Sequence, residues 1–298
     1  MRTGILLRKE YMKIRTEIMD IALCTIISKL RIHQFLALYE SIIKNRMAAH
    51  LFVFCVDRES YDLLKKMGIS KAVIIDFSKL EDKTLINLRK ERKIYEYCWT
   101  IKPVVIEYIF KKHSKIKKIL YVDSDIYFFS DPLSIINRIK KWSVIVTTHR
   151  SSKNINGGFV CFKRDKIGLE ALKWWKRQCF NWCYDYFDNG NFGDQGHLDR
   201  LKKHYRNIYY LEHPGFNVAS WNEHLYQIKT YDDRVYVDNV RMVFYHFSGL
   251  RMINKTDYIM LWQFEPKGYV YGHYINVLRK KIEEIENVSP GFTDNIFK

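Results

Sequence analysis

The stretch Ile119-Leu-Tyr-Val-Asp-Ser-Asp-Ile-Tyr-Phe-Phe-Ser-Asp-Pro132 decides how the rest of the chain is read. Its apolar start, Ile119 to Val122, has the length of a buried strand and stops abruptly at Asp123-Ser124-Asp125. Two carboxylates so close together at the end of a buried strand lose hydration and repel each other. Both ionise cheaply only beside a cation. Hard oxygen ligands suit Mn²⁺ or Mg²⁺, ions that bridge to phosphates. The stretch therefore predicts a metal and diphosphate site at the edge of an α/β sheet.

Working outward, the first half alternates strand and helix. Ile21 to Ile27, Leu51 to Val56 and Val73 to Ile75 read as strands. Phe35, Leu36, Leu38, Tyr39, Ile42 and Ile43 have helical spacing, and Tyr61, Leu63, Leu64 and Met67 precede a capping Gly68. A helix carrying Val104, Val105, Tyr108 and Ile109 leads into the Asp123 strand. This rhythm predicts a mostly parallel sheet with helices on both faces and ligands beyond the carboxyl ends of its strands. The second half is less regular. Val144 to Thr147, Phe159 to Phe162 and Arg241 to His246 read as strands, and Ile167 to Phe187 as a helix whose aromatic stripe belongs to the core. Asp188 to Gly193 reads as a loop, with a helix opening near Asp194. Tyr274 to Val288 is an amphipathic helix bearing Lys and Arg, suited to a membrane surface or to packing on the domain, with packing the preferred reading.

The 298 residues are 47% hydrophobic, enough for one large core with appendages. No apolar run reaches the roughly 20 residues of a membrane span. Met1 to Glu17 carries five Lys or Arg around a short apolar patch and lacks the apolar segment of a secretion signal. Six scattered cysteines, several inside strand-like runs, fit free thiols in a reducing cytoplasm. Cys179 and Cys183 lie one helical turn apart, but no second ligand pair follows them. The net charge of +17 is diffuse, densest at Lys111 to Lys118 and again at Arg138 to Lys141. Without a zinc-finger, ribonucleoprotein or Walker signature, nucleic acid is not expected as a partner. The charge favours peripheral contact with an anionic membrane, and a plain solvated basic surface is the ordinary alternative.

Asp-x-Asp alone is a weak signal, but three further motifs follow it in order: Asn156-Gly-Gly-Phe-Val160, Gly193-Asp-Gln-Gly-His-Leu-Asp199 and His246-Phe-Ser-Gly249. With these the chain resembles GT-A-fold glycosyltransferases that use nucleotide sugars, and is similar to glycogenin-like and lipopolysaccharide galactosyltransferase-like enzymes. The resemblance covers residues 18–252. It implies a Rossmann-like α/β domain with a mixed, mostly parallel sheet, preceded by a basic extension (1–17) and followed by a C-terminal helical extension (253–298). It also implies transfer of a sugar, from a UDP-sugar by preference, to a glycan or lipid-linked acceptor in surface polysaccharide synthesis. The metal would be Mn²⁺ or Mg²⁺. The expected location is the cytoplasm, with attachment at the inner face of a membrane.

The same resemblance assigns residues. Asp125, His246 and Asp123 would hold the metal, with Asp123 also able to meet the nucleotide ribose. Thr25 and Ser28 would lie against the base, and Ser124, Asn156, Gly157 and Gly158 against the donor. Lys102, opening a helix in Trp99-Thr-Ile-Lys-Pro103, and Arg251 would meet the phosphates. Arg251 departs from the Lys of related enzymes. Asp194 and Asp199 would contact sugar hydroxyls and Gln195 would lie beneath the anomeric carbon, which favours retention of configuration. Read from their own chemistry, Asn217, Trp221 and Asn222 form a polar-aromatic loop suited equally to stacking on an acceptor sugar or to a buried structural role. Two rival readings remain at this point. A nucleotidyltransferase acting on a sugar phosphate would show a Gly-rich loop after the first strand, where this chain reads Ser28-Lys-Leu-Arg-Ile32. A non-catalytic basic protein on a decayed transferase scaffold would not keep Asp123, Asp125, Asn156, Asp194, Gln195 and His246 together.

Overall fold

Strands that are apolar on both faces must be covered on both faces, and the first of them, β1 (Ile21–Ile27), is buried at every position. A computed structural model describes residues 20–261 and 268–297, so the basic stretch 1–17 lies outside the described residues. Next come β2 (His50–Cys55), β3 (Ala72–Asp76), β4 (Lys118–Val122), β5 (Ile126–Phe128), β6 (Val144–Thr148), β7 (Ile155–Lys163) and β8 (Ile208–Tyr210). Among the described residues the large sheet runs β3-β2-β1-β4-β7-β6-β8, with only β7 antiparallel to the rest. The expected mostly parallel sheet is therefore present. The chain steps outward from β1 to β2 and β3, then returns to lay β4 on the other side. This puts a switch point, and hence a crevice, at the carboxyl ends of β1 and β4.

Alternation along the strands feeds two core layers. Leu23, Val53, Leu120 and Val122 meet α1 (Ile32–Lys44) and α2 (Arg58–Lys66) on one face. Cys24, Phe52, Phe54 and Tyr121 face the other way, toward α4 (Ile94–Lys112) and α5 (Lys166–Asn181). Each fully buried Leu, Ile or Phe in these layers contributes roughly 1.5–3 kcal/mol. Between β3 and α4 runs α3 (Lys83–Glu91), capped by Asp82 accepting from the Leu85 amide at 2.9 Å. The sequence reading did not include it. Nor did it see that α4 begins at Ile94, two turns before Lys102, with Pro103 inside the helix.

Three short strands, β9 (Val218–Ala219), β5 and β13 (Phe244–His246), form a second sheet in the order β5-β13-β9, and the intervening β10 (Ile228–Tyr231), β11 (Arg234–Val237) and β12 (Val240–Arg241) form a third. Beyond it, β14 (Leu250–Met252) pairs with β15 (Tyr258–Met260), and α6 (Gly268–Val288) follows. Helix α6 lays Tyr271, Tyr274 and Leu278 into an apolar cluster with Tyr127, Tyr245 and Phe247, and packs on α1. Its apolar stripe is spent on this contact. The six cysteines are free thiols, as the composition led us to expect. Among the described residues no helix is long and apolar enough to cross a membrane.

Candidate active site

The strand β4 ends at Val122, and the pairing of β5 with β13 brings His246 opposite Ile126. The Phe247 amide donates to the Asp125 carbonyl at 2.9 Å, so the late strand is held against the acidic turn. Asp123, Asp125 and His246 then offer ligand atoms that all lie within 4.8 Å of one another. His246 Nε2 is 3.1 Å from Asp125 Oδ1, and its Nδ1 is buried without a partner. Two carboxylates and an imidazole with an unmet nitrogen fit a divalent cation. Burial would raise the Asp125 carboxyl, but His246, Arg31 and Arg251 outweigh it and hold it below the usual carboxylate range.

Lys102 supplies the compensating charge. It is 2% exposed and sits in the middle of α4, not at a helix start as expected; its ammonium turns into the site beside Pro103. Its Nζ lies 3.2 Å from Asp123 Oδ1 and 3.4 Å from Asp194 Oδ2, and donates to the Gly157 carbonyl at 3.1 Å. Burial opposes its charge, yet the two carboxylates raise its pKa on balance. Asp194 is pushed up to about 6, chiefly by burial, with Lys102 pulling the other way. Tyr121 donates to Asp123 Oδ1 at 2.8 Å.

The glycines of β7 set how closely these groups approach. A Cβ on Gly157 would fall 2.6 Å from Asp194 Oδ2. On Gly158 it would fall 2.6 Å from His246 Cε1 and 2.9 Å from Asp123 Oδ2. Strand β7 can pass behind the acidic centre only without side chains here. Asn156 accepts from the Gly158 amide at 2.9 Å, so its side chain braces this passage.

Beside the centre opens a cleft of about 550 Å³ whose walls include His149, Asn154, Phe187, Gln195, Asp199 and Trp221. The Trp221 ring spans the two regions, 5.1 Å from the His149 ring and 5.4 Å from the His246 ring. Asp199 is partly committed, since its Oδ1 accepts from the Ile155 amide at 2.6 Å. Burial lowers the His149 pKa to about 4, so the imidazole is neutral at pH 7.

A family model for nucleotide-diphospho-sugar transferases matches residues 46–258. The chain belongs to that family. The uncharacterized protein YfnF of Bacillus subtilis (strain 168) is 28% identical over 293 residues, or 92% of this transferase and 97% of YfnF. The fold is similar to that of the galactosyltransferase LgtC, solved with donor and acceptor sugar analogs. The TM-score is 0.54 at 12% identity, over 92% of this chain and 99% of LgtC. The apo glycosyltransferase GlyE of Streptococcus pneumoniae TIGR4 gives a TM-score of 0.53 at 14% identity, over 90% of this chain and 64% of GlyE. The protein is a glycosyltransferase of the GT-A fold.

The transferase brings together Asp123, Ser124, Asp125, Asn156, Gly157, Gly158, Asp194 and His246, and places Gln195, Asp199 and Trp221 on the cleft. Ser28 follows β1 and opens the Lys29–Arg31 turn at the crevice, whereas Thr25 is fully buried within the strand, its hydroxyl unpartnered. Asn217 and Asn222 do not face the cleft. Both are fully buried: Asn217 donates to the Thr148 carbonyl at 2.8 Å, and Asn222 donates to the His149 carbonyl at 3.0 Å and accepts from the Ala219 amide. They fix the loop that carries Trp221. Arg251 is half-buried after Gly249, with Nη1 donating to the Leu250 carbonyl at 2.8 Å. Sequence reasoning missed Tyr121, His149 and Arg31. Tyr121 carried a usable signal, because it lies two positions before Asp123 on the same side of the strand.

Proposed function

We propose that this transferase moves a sugar from a nucleoside-diphosphate sugar, UDP-linked by preference, to a hydroxyl of a glycan or lipid-linked acceptor, with a divalent metal of the Mn²⁺ or Mg²⁺ type. The observation that carries the reading is the Asp123, Asp125 and His246 cluster at the switch point, opening toward the cleft past Trp221. Mixed carboxylate and imidazole donors favour Mn²⁺ over Mg²⁺. Such an ion, when bound, would neutralise charge on the departing diphosphate. The chain's own groups do the rest. Lys102 cancels the repulsion between Asp123 and Asp194 and fixes the Gly157 carbonyl. Trp221 and Phe187 offer faces on which an acceptor sugar ring can stack.

An inverting enzyme needs a free carboxylate at the acceptor hydroxyl. Here Asp194 is tied to Lys102, and Asp199 accepts a backbone amide, while Gln195 is the neutral group on the cleft wall. This supports retention of configuration. A role in surface polysaccharide synthesis follows from the resemblance, and the +17 charge supports attachment at the inner, anionic face of a membrane.

Thermal denaturation with UDP, GDP, CDP and dTDP, each with and without Mn²⁺, tests the reading on the wild type and on Asp125→Ala. Ligand at a hundred times its dissociation constant stabilises by about 2.7 kcal/mol. One nucleotide should raise the melting temperature only with Mn²⁺ and only in the wild type. No shift with any of the four would overturn the proposal.

A further inference from the structure

The turn Lys29–Arg31 leaves β1 at the switch point, and from it Arg31 reaches α1, where its Nη1 donates to Gln34 Oε1 at 2.8 Å. Arg31 and Arg251 are both half-buried, the Arg31 charge bears on Arg251, and both guanidinium groups bear on Asp125. Among the described residues neither closes an ion pair with a carboxylate, whereas Lys102 holds Asp123 and Asp194 and His246 holds Asp125. Burial and the neighbouring Arg31 push Arg251 down to about 10. Two like charges crowded beside one carboxylate are unfavourable until an anion enters between them.

Tyr274 arrives at the same place from α6. Its ring stacks on Phe247 with centroids 3.7 Å apart and planes within 9°. Phe247 is the residue whose amide holds the Asp125 carbonyl. The Tyr274 side chain is fully buried and its hydroxyl faces the Gln34 amide, yet neither that hydroxyl nor the Gln34 Nε2 closes a hydrogen bond of ordinary length. Buried donors without partners cost stability and are rare unless a ligand completes them. The charges of the whole site agree with this. Asp123, Asp125 and Asp194 are balanced by Lys102, Arg31 and Arg251, so a divalent cation and a doubly charged diphosphate diester would enter as a neutral pair.

We infer that Arg31 and the Tyr274 hydroxyl, together with Arg251, form a diphosphate subsite at the Asp125 end of the acidic centre. The C-terminal helix is then part of the donor site and not only a packing appendage. The inference rests on the nucleoside-diphosphate-sugar reading for the identity of the ligand. Tyr274 and the two arginines donate hydrogen bonds to the phosphate oxygens, steady the leaving group, and tie donor binding to the docking of α6.

Equilibrium dialysis of the full chain with Mn²⁺ and inorganic pyrophosphate, with Mn²⁺ and UDP, GDP, CDP or dTDP, and with Mn²⁺ alone tests this on the wild type, Arg31→Gln and Tyr274→Phe. Each variant should bind Mn²⁺ as the wild type does and bind pyrophosphate on the order of tenfold more weakly. The ligand-free melting temperature of Tyr274→Phe should not fall below that of the wild type, because the substitution removes only a loose contact with Gln34. A lower one, with pyrophosphate binding unchanged, would make the hydroxyl structural and overturn the inference. Nucleotide binding that the substitutions leave untouched overturns the inference but leaves the proposed function standing. Arg31-dependent pyrophosphate binding without affinity for any of the nucleotides does the reverse. A wild type that binds neither pyrophosphate nor nucleotide sinks both.

Discussion

In the acidic centre Tyr121, Lys102, Asp123 and His246 are held by side-chain contacts of 2.8 to 3.4 Å, whereas Phe187, at the lip of the adjoining cleft, is 77% exposed and stacks on Phe192 across 4.8 Å. The centre is set by strand register, which fixes Asp123 beside Gly158 through the Asp123 amide and Gly158 carbonyl at 2.9 Å. The cleft is set by loops. Its walls stay in place because side chains reach back to main-chain carbonyls, as Arg150 does to Glu212 and His213, and Asn222 to His149. One region admits no change of an atom, and the other can be rebuilt loop by loop around the same chemistry.

The contrast breaks first at the glycines. In Gly158→Ala the new methyl would meet His246 Cε1 at 2.6 Å and both Asn156 Oδ1 and Asp123 Oδ2 at 2.9 Å. The strand is paired on both sides, so it cannot retreat. We expect transfer activity to fall about a hundredfold and stability by about 1–3 kcal/mol. Gly190→Ala in the cleft wall has nothing within 4 Å and meets only the strain of a φ of +77°, about 1 kcal/mol. Steady-state kinetics and chemical denaturation of the two variants check this. Equal activity losses would show that the centre is no more tightly built than the cleft.

This division also explains what was legible in the sequence. Asp123, Asp125 and the Gly157-Gly158 pair announce themselves because strand ends and glycines carry local signals, and the order of the βα units gave the sheet. His246 lies 121 residues from Asp125, and only its motif connected the two. The reading failed where structure depends on contacts that local pattern does not encode. Helix α5 stops at Asn181, six residues before the expected end at Phe187. Trp182, Tyr184 and Phe187 continue its apolar stripe, yet Trp182 is extended and the chain turns without a Gly or Pro to mark it. Lys102 looked like a helix start because Pro103 follows it, but Pro103 lies inside α4. Tyr274 was read as the start of an amphipathic helix, and nothing in its spacing tells which buried face touches the site.

Acidification sharpens the comparison from the cleft side. His197 lies in the single-turn helix Gln195–Leu198 under the cleft, its Nε2 2.7 Å from the Trp182 carbonyl and its Nδ1 bonded by the Arg200 guanidinium. The carbonyl needs a donor and the guanidinium an acceptor, so the ring is neutral with its proton on Nε2. Burial, with Arg200 adding to it, lowers its pKa to about 4 from 6.5. The unfolded chain therefore binds the proton first. The stability contributed by His197 is complete above about pH 6.5 and is lost as pH falls toward 4, by about 3 kcal/mol. His197→Gln should lose this pH dependence, so the gap between variant and wild type in urea denaturation narrows from pH 7 to pH 4. A constant gap would mean that the ring is not held neutral.

The smallest expected effect separates the two regions most cleanly, because Trp221 belongs to both. Its ring faces His149 on the cleft side and His246 on the side of the acidic centre, and its Nε1 donates to the His149 carbonyl at 3.1 Å. If the ring serves as an acceptor platform, Trp221→Ala removes a stacking face and leaves the carboxylates and Lys102 untouched. The KM for acceptor should then rise about tenfold, the size of one aromatic contact. Nucleotide affinity and slow hydrolysis of the donor by water should stay within about twofold of wild type. If the ring instead holds His246 in place, both nucleotide affinity and hydrolysis fall with it. Measuring acceptor KM and donor hydrolysis in the same preparation decides between them, since a platform moves the first alone and a brace moves both.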